Sequence, residues 1–184
     1  MNYFDEYHDE LVRALGTVEL RQLDELRSLF VDARANGNAI YTCGNGGSAA
    51  TASHFATDLL KGASYGKDLR FKVVALTDAT STISAYSNDV TYDIVFEEQL
   101  RNFLNPGDIV VAISGSGNSL NVIRALRFAK AHGAHAVAFT GRDGGELGKE
   151  ATLHINVAEQ HMGRIEDVHM AICHMVAFSF IDVE

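Results

Sequence analysis

The chain has 184 residues, 47% hydrophobic and 21% charged, with 16 Gly and a single Pro. That is room for one compact domain, and the composition of a packed protein rather than a disordered or fibrous one. The net charge of −9, from 15 Lys and Arg against 24 Asp and Glu, repels nucleic-acid backbones and anionic lipid, so neither is expected as a partner. Apolar stretches such as 109–113 and 175–181 fall well short of the roughly 20 residues of a bilayer span. The opening residues carry Asp5, Glu6, His8, Asp9 and Glu10 without a basic run, unlike a secretory signal, which points to the cytoplasm. Cys43 and Cys173 read as reduced core residues.

From residue 2 to about 35, Tyr3, Phe4, Leu11, Val12, Leu15, Leu20, Leu23, Leu26, Leu29 and Phe30 recur at helical spacing and predict two helices. Short Val-, Ile- and Ala-rich runs at 39–43, 72–76, 108–113, 135–139 and 152–157 then predict five strands. Helical patterns lie between them at 48–61, 80–87, 92–104, 119–132 and 145–150, with a last helix at about 165–182. Strands with little polar alternation are covered on both faces, as in parallel sheets. The fold class is α/β: a three-layer αβα arrangement with a five-stranded parallel sheet, flavodoxin-like, preceded by N-terminal helices over 1–36. The lone proline, in Asn105-Pro106-Gly107-Asp108, marks the turn into the third strand. Residues 1–184 read as a single domain.

Two strands end in similar polar loops. The first runs into Gly44-Asn45-Gly46-Gly47-Ser48 and the third into Ser114-Gly115-Ser116-Gly117-Asn118-Ser119, each followed by a helix. Glycines turn the backbone tightly and expose N–H groups, hydroxyls add donors, and the helix contributes its positive end, all suited to an anion. In a 2-1-3-4-5 strand order the sheet reverses direction between these two strands, where ligands bind. The plainer alternative is a pair of strand-to-helix turns with Ser48 and Ser119 as N-caps. Neither loop has the lysine of a nucleotide triphosphate loop, and Gly44-Asn45-Gly46-Gly47 lacks dinucleotide spacing. A phosphomonoester fits the hydroxyl-rich loop better.

His54 and Asp58, four apart, share a helix face about two turns beyond the first loop. The last helix carries Glu166, Asp167, His169 and His174. Histidine with carboxylate serves acid–base transfer or a divalent metal, although a pair at this spacing is also an ordinary surface pair. Glu166 and His174 are separated by about 12 Å of helix rise, so they do not act on one ligand within one helix. His8, His132, His135, His154 and His161 show no functional context.

Four runs in order along nearly the whole chain resemble the sugar isomerase (SIS) domain of the phosphoheptose isomerase family. They are CGNGGSAATASHFATD over 43–58, Ser87-Asn88-Asp89 with Tyr92, Val95 and Phe96, ISGSGNS over 113–119, and GRIEDVH over 163–169 with His174. The resemblance implies conversion of sedoheptulose 7-phosphate to glycero-manno-heptose 7-phosphate. Its substrate contacts would be Asn45, Gly46, Gly47, Asn88, Asp89, Ser114, Gly115, Ser116 and Ser119, with Asp58 and Glu166 also at the substrate. Its Zn²⁺ ligands would be His54, Asp58, Glu166 and His174. Asp58 and His174 would be its acid–base pair, with Glu166 as an added candidate base. It also implies a homotetramer with shared sites. The family usually has Glu at position 58, Gln at 166 and Thr at 115. Two other readings belong to the same fold: an isomerase of another phosphosugar, and a non-catalytic regulator of the type that binds a replication initiator.

Overall fold

In the computed structural model, which describes residues 2–183, all five strands form one parallel sheet. They are β1 (Ala39–Gly44), β2 (Lys72–Ala75), β3 (Ile109–Ser114), β4 (His135–Gly141) and β5 (Leu153–Val157), in the order β2-β1-β3-β4-β5. The reversal therefore lies between β1 and β3, where Gly44 pairs in register with Ile113. That register starts the two polar loops side by side at the carboxyl edge. The central strand β3 is buried along its whole length, whereas the edge strands β2 and β5 alternate, as expected when only the middle of a sheet is covered on both faces.

Ile109, Val111 and Ile113 point into one core, with Phe30, Phe55, Phe139 and Phe180. It is closed by α1 (Tyr3–Leu15), α2 (Leu20–Asn36), α3 (Gly47–Thr57) and α8 (Met162–Ile181). Val110 and Ala112 point into the other, with Phe96, Leu100 and Leu126, closed by α5 (Val95–Phe103), α6 (Leu120–Ala131) and α7 (Gly145–Glu150). The remaining helix, α4 (Thr80–Asp89), buries none of its residues. Cys43 and Cys173 are fully buried, free thiols, one in each core; burial pushes the Cys43 thiol up to about 12.

Three boundaries differ from the sequence pattern. The helix expected over 48–61 changes at Asp58 into a π-turn over Asp58–Gly62, with Ala63 N–H donating to Asp58 O at 2.8 Å. Gly62 lets this widened turn press on α8: a Cβ there would lie 2.7 Å from Ile181 Cδ1. The helix expected over 92–104 opens as a 3₁₀ turn (Tyr92–Ile94), begun by the Thr91 hydroxyl accepting from Asp93 N–H at 3.3 Å. The last helix starts at Met162, earlier than its apolar pattern, because Glu159 accepts the Gln160 and His161 N–H groups and pairs with Arg164. Among the described residues, no helix is long and apolar enough to cross a membrane.

Candidate active site

The two loops enclose a cavity of about 270 Å³. Asn45, Gly46, Gly47 and Ser48 line one side, and Ser114, Gly115, Ser116 and Ser119 line the other. Gly46 has φ 55° and ψ −122°, a conformation only glycine adopts readily, and a Cβ there would face open space. It is also the N-cap of α3, so the plainer alternative, with Ser48 as the cap, does not hold at this loop. Ser119 does stand at the N-cap of α6, but its hydroxyl makes no capping bond. It lies 3.2 Å from Ser114 Oγ, which is 3.4 Å from Ser116 Oγ. The hydroxyls face one another across the loop, the arrangement a multi-oxygen anion would bridge.

The serine loop is held from behind. Gly117 (φ 66°) packs its α-carbon against the Gly144 carbonyl, and Leu147 N–H donates to Gly117 O at 2.8 Å. Any side chain at 117 would collide with that carbonyl. Met162 and Glu166, one turn apart on α8, form the remaining wall of the cavity. Met162 occupies the space above Gly115, where a Cβ would be 2.6 Å from its Sδ. The Glu166 carboxylate packs directly against Gly47.

Gly47 opens α3 and Glu166 lies in the second turn of α8, so the two helices run alongside each other from the cavity. Two turns further along this seam, roughly 10–12 Å by helix rise, His54, Asp58 and His174 converge. Asp58 Oδ2 lies 3.5 Å from His54 Nε2 and 3.8 Å from His174 Nε2. The two imidazole nitrogens are 3.4 Å apart. Asp58 Oδ2 is buried and, among the described residues, has no hydrogen-bond partner, a costly state for a carboxylate oxygen unless a cation or proton lies beside it. Two imidazole nitrogens and one carboxylate oxygen suit a divalent metal that keeps one position open. Glu166 stands outside this group because the helix rise separates it from His174, and within one chain it belongs to the loop cavity.

Asn88 and Asp89 are not brought to the cavity. They end α4 on the surface, with Asn88 Nδ2 donating to Asp89 Oδ1 at 2.8 Å. Sequence reasoning missed Asn121, which is buried in α6 and bonded to Asn45. It also missed Met162, which only the approach of α8 brings over Gly115. A buried His169 donates from Nε2 to Thr140 O at 3.1 Å, leaving Nδ1 without a partner among the described residues. Desolvation lowers it to about 4. His154, near Gly144 and Gly148, lies 2.6 Å from Thr140 Oγ1; both histidines serve packing under the loops.

Paired glycine-serine loops at the reversal of a doubly wound sheet, beside an imidazole–carboxylate cluster, define an α/β protein built to hold a small anionic ligand. The chain belongs to the SIS-domain family, whose model matches residues 2–141, and within it to the phosphoheptose isomerases. It is 40% identical to a phosphoheptose isomerase of Alteromonas mediterranea over 156 residues, 83% of this chain and 78% of that one. It is 36% identical to one of Aliarcobacter butzleri over 170 residues, 92% of this chain and 89% of that one. The solved phosphoheptose isomerase of Neisseria gonorrhoeae superposes with a TM-score of 0.89 at 34% identity, covering 98% of this chain and 97% of that one.

Proposed function

We propose that this chain interconverts sedoheptulose 7-phosphate and D-glycero-D-manno-heptose 7-phosphate, a ketose–aldose isomerisation through an enediol. The observation that carries this reading is the hydroxyl-lined cavity between the β1 and β3 loops, walled on one side by the Glu166 carboxylate. Similarity to phosphoheptose isomerases over most of both chains supports the same substrate.

The serine loop, with Ser114, Ser116 and Ser119, would bind the phosphate, and that remote binding energy would position the sugar chain. Isomerisation moves one proton between C1 and C2 and a second between their oxygens. Asp58 and His174 are the pair we assign to these transfers, with Glu166 as the alternative base because its carboxylate lies in the loop cavity. Zn²⁺ is the metal we assign to His54, Asp58 and His174, where it would polarise a sugar oxygen. Glu166, separated from that group by helix rise, would complete its ligand set only from a neighbouring subunit.

A homotetramer, with residues 1–36 at its contacts, is therefore part of the proposal. Tyr3 and Phe4 on α1 are 65% and 79% exposed, which suits a subunit contact. In the assembly, Asn88 and Asp89 would reach a neighbour's substrate. We place the enzyme in the cytoplasm and read the chain as one SIS domain. Convergence of His54, Asp58 and His174 favours catalysis over a purely regulatory role. The test is to incubate zinc-loaded protein with sedoheptulose 7-phosphate and follow the product by NMR. Aldose signals growing to a fixed ratio support the reading, and an unchanged ketose refutes it.

A further inference from the structure

Asn45 projects from the first loop into the cavity, and its side chain is fixed by two residues outside it. Asn45 Nδ2 donates to Asn121 Oδ1 at 2.9 Å, and Asn121 Nδ2 donates back to Asn45 Oδ1 at 3.0 Å. The Tyr92 hydroxyl lies 2.6 Å from Asn45 Oδ1. The orientation of this set follows from one main-chain group: Val122 N–H, shared with Ser119 O at 3.1 Å, faces Asn121 Oδ1 at 3.0 Å, and an amide NH₂ cannot stand opposite an N–H at that distance. With Asn121 oriented, the reciprocal pair orients Asn45, and Tyr92 has to be the donor. Asn121 is 2% exposed, so these groups have little water to replace a lost partner.

The bonding capacity of Asn45 can then be counted. Its oxygen accepts two bonds, from Asn121 and Tyr92, which fills both lone pairs. Its nitrogen has two hydrogens, and one is held by Asn121. A single N–H is left over. We propose that Asn121 and Tyr92 are positioning residues that reduce Asn45 to one hydrogen-bond donor, so that the ligand atom opposite it must be an acceptor, a phosphate, carbonyl or hydroxyl oxygen of the sugar. The same network ties the first loop to α6 and to the turn before α5, linking it to the helix that follows the second loop. This rests on the phosphosugar reading for the identity of the ligand, but not for the network itself.

Two measurements separate the two. In the free protein, amide hydrogen exchange is followed at Ala49 and Ala50, whose N–H groups bond to Gly46 O. Tyr92→Phe and Asn121→Ala should each speed it by about fivefold, the equivalent of about one neutral hydrogen bond. Unchanged exchange in both variants overturns the proposal. Calorimetric binding of sedoheptulose 7-phosphate to zinc-loaded protein is then compared in the wild-type and Asn45→Ala backgrounds. In the first, each variant should raise Kd about fivefold; in the second, neither should raise it further, because the group they position is gone. An equal loss in both backgrounds marks a merely structural role and overturns the proposal. If Asn121→Ala does not fold, Tyr92→Phe carries the test alone. Faster exchange in a protein that does not bind sedoheptulose 7-phosphate upholds the network and removes the substrate assignment instead.

Discussion

His54 and His174 stand 120 positions apart in sequence and bring their Nε2 atoms to 3.4 Å. The contact exists because α3 and α8 run side by side from the same edge of the sheet. Asp58 Oδ2 faces both imidazoles and has no hydrogen-bond partner among the described residues. The group accordingly predicts zinc retention near one ion per chain. His174→Ala should weaken zinc binding by at least about 100-fold, since loss of even an outer partner costs 10–100-fold. Elemental analysis after dialysis against a weak chelator measures it. Zinc retained equally by the variant would place the metal elsewhere.

Gly115 and Met162 predict a coupled pair. Gly115→Thr places new atoms where Met162 Sδ stands, so alone it should displace the thioether and raise KM for the phosphosugar. Added Met162→Ala should open that space and recover most of the loss. Steady-state kinetics on the four proteins of the cycle reads the coupling, expected at about 1–3 kcal/mol for an overpacked contact. Additive effects would mean the two residues do not share the space.

His169 predicts an acid-side loss of stability. Its folded value is lowered to about 4 by desolvation, while the unfolded chain has the ordinary value near 6.5. Between these limits the unfolded state binds the extra proton, so stability is full above about pH 6.5 and falls as pH drops toward 4. The full window is worth about 3 kcal/mol, as an order of magnitude. Denaturant melts from pH 7 to 4 on wild type and His169→Gln should show a flatter dependence in the variant. Parallel curves would assign the acid sensitivity to other groups.

The fold was largely legible because β1, β3 and β4 are continuous apolar runs and the glycine-serine loops punctuate them. Their side-by-side placement needed only the register of Gly44 with Ile113. The site was legible in parts. His54 and Asp58 announce themselves by spacing on one helix, but His174 joins them only through packing of α8 on α3, which periodicity does not encode. Asn121 looks in sequence like any polar residue in the first turn of a helix, and only its burial against Asn45 shows what it does. The π-turn at Asp58 likewise depends on how closely Gly62 approaches Ile181, a tertiary contact with no local signature.

The most direct measurement is solvent-deuterium incorporation into sedoheptulose 7-phosphate incubated in D₂O with the zinc-loaded protein. Reversible proton transfer through an enediol predicts deuterium on the reacting carbons, lost when Asp58 and His174 are both replaced. A wild-type protein that binds zinc and the sugar phosphate yet incorporates no deuterium would contradict the account.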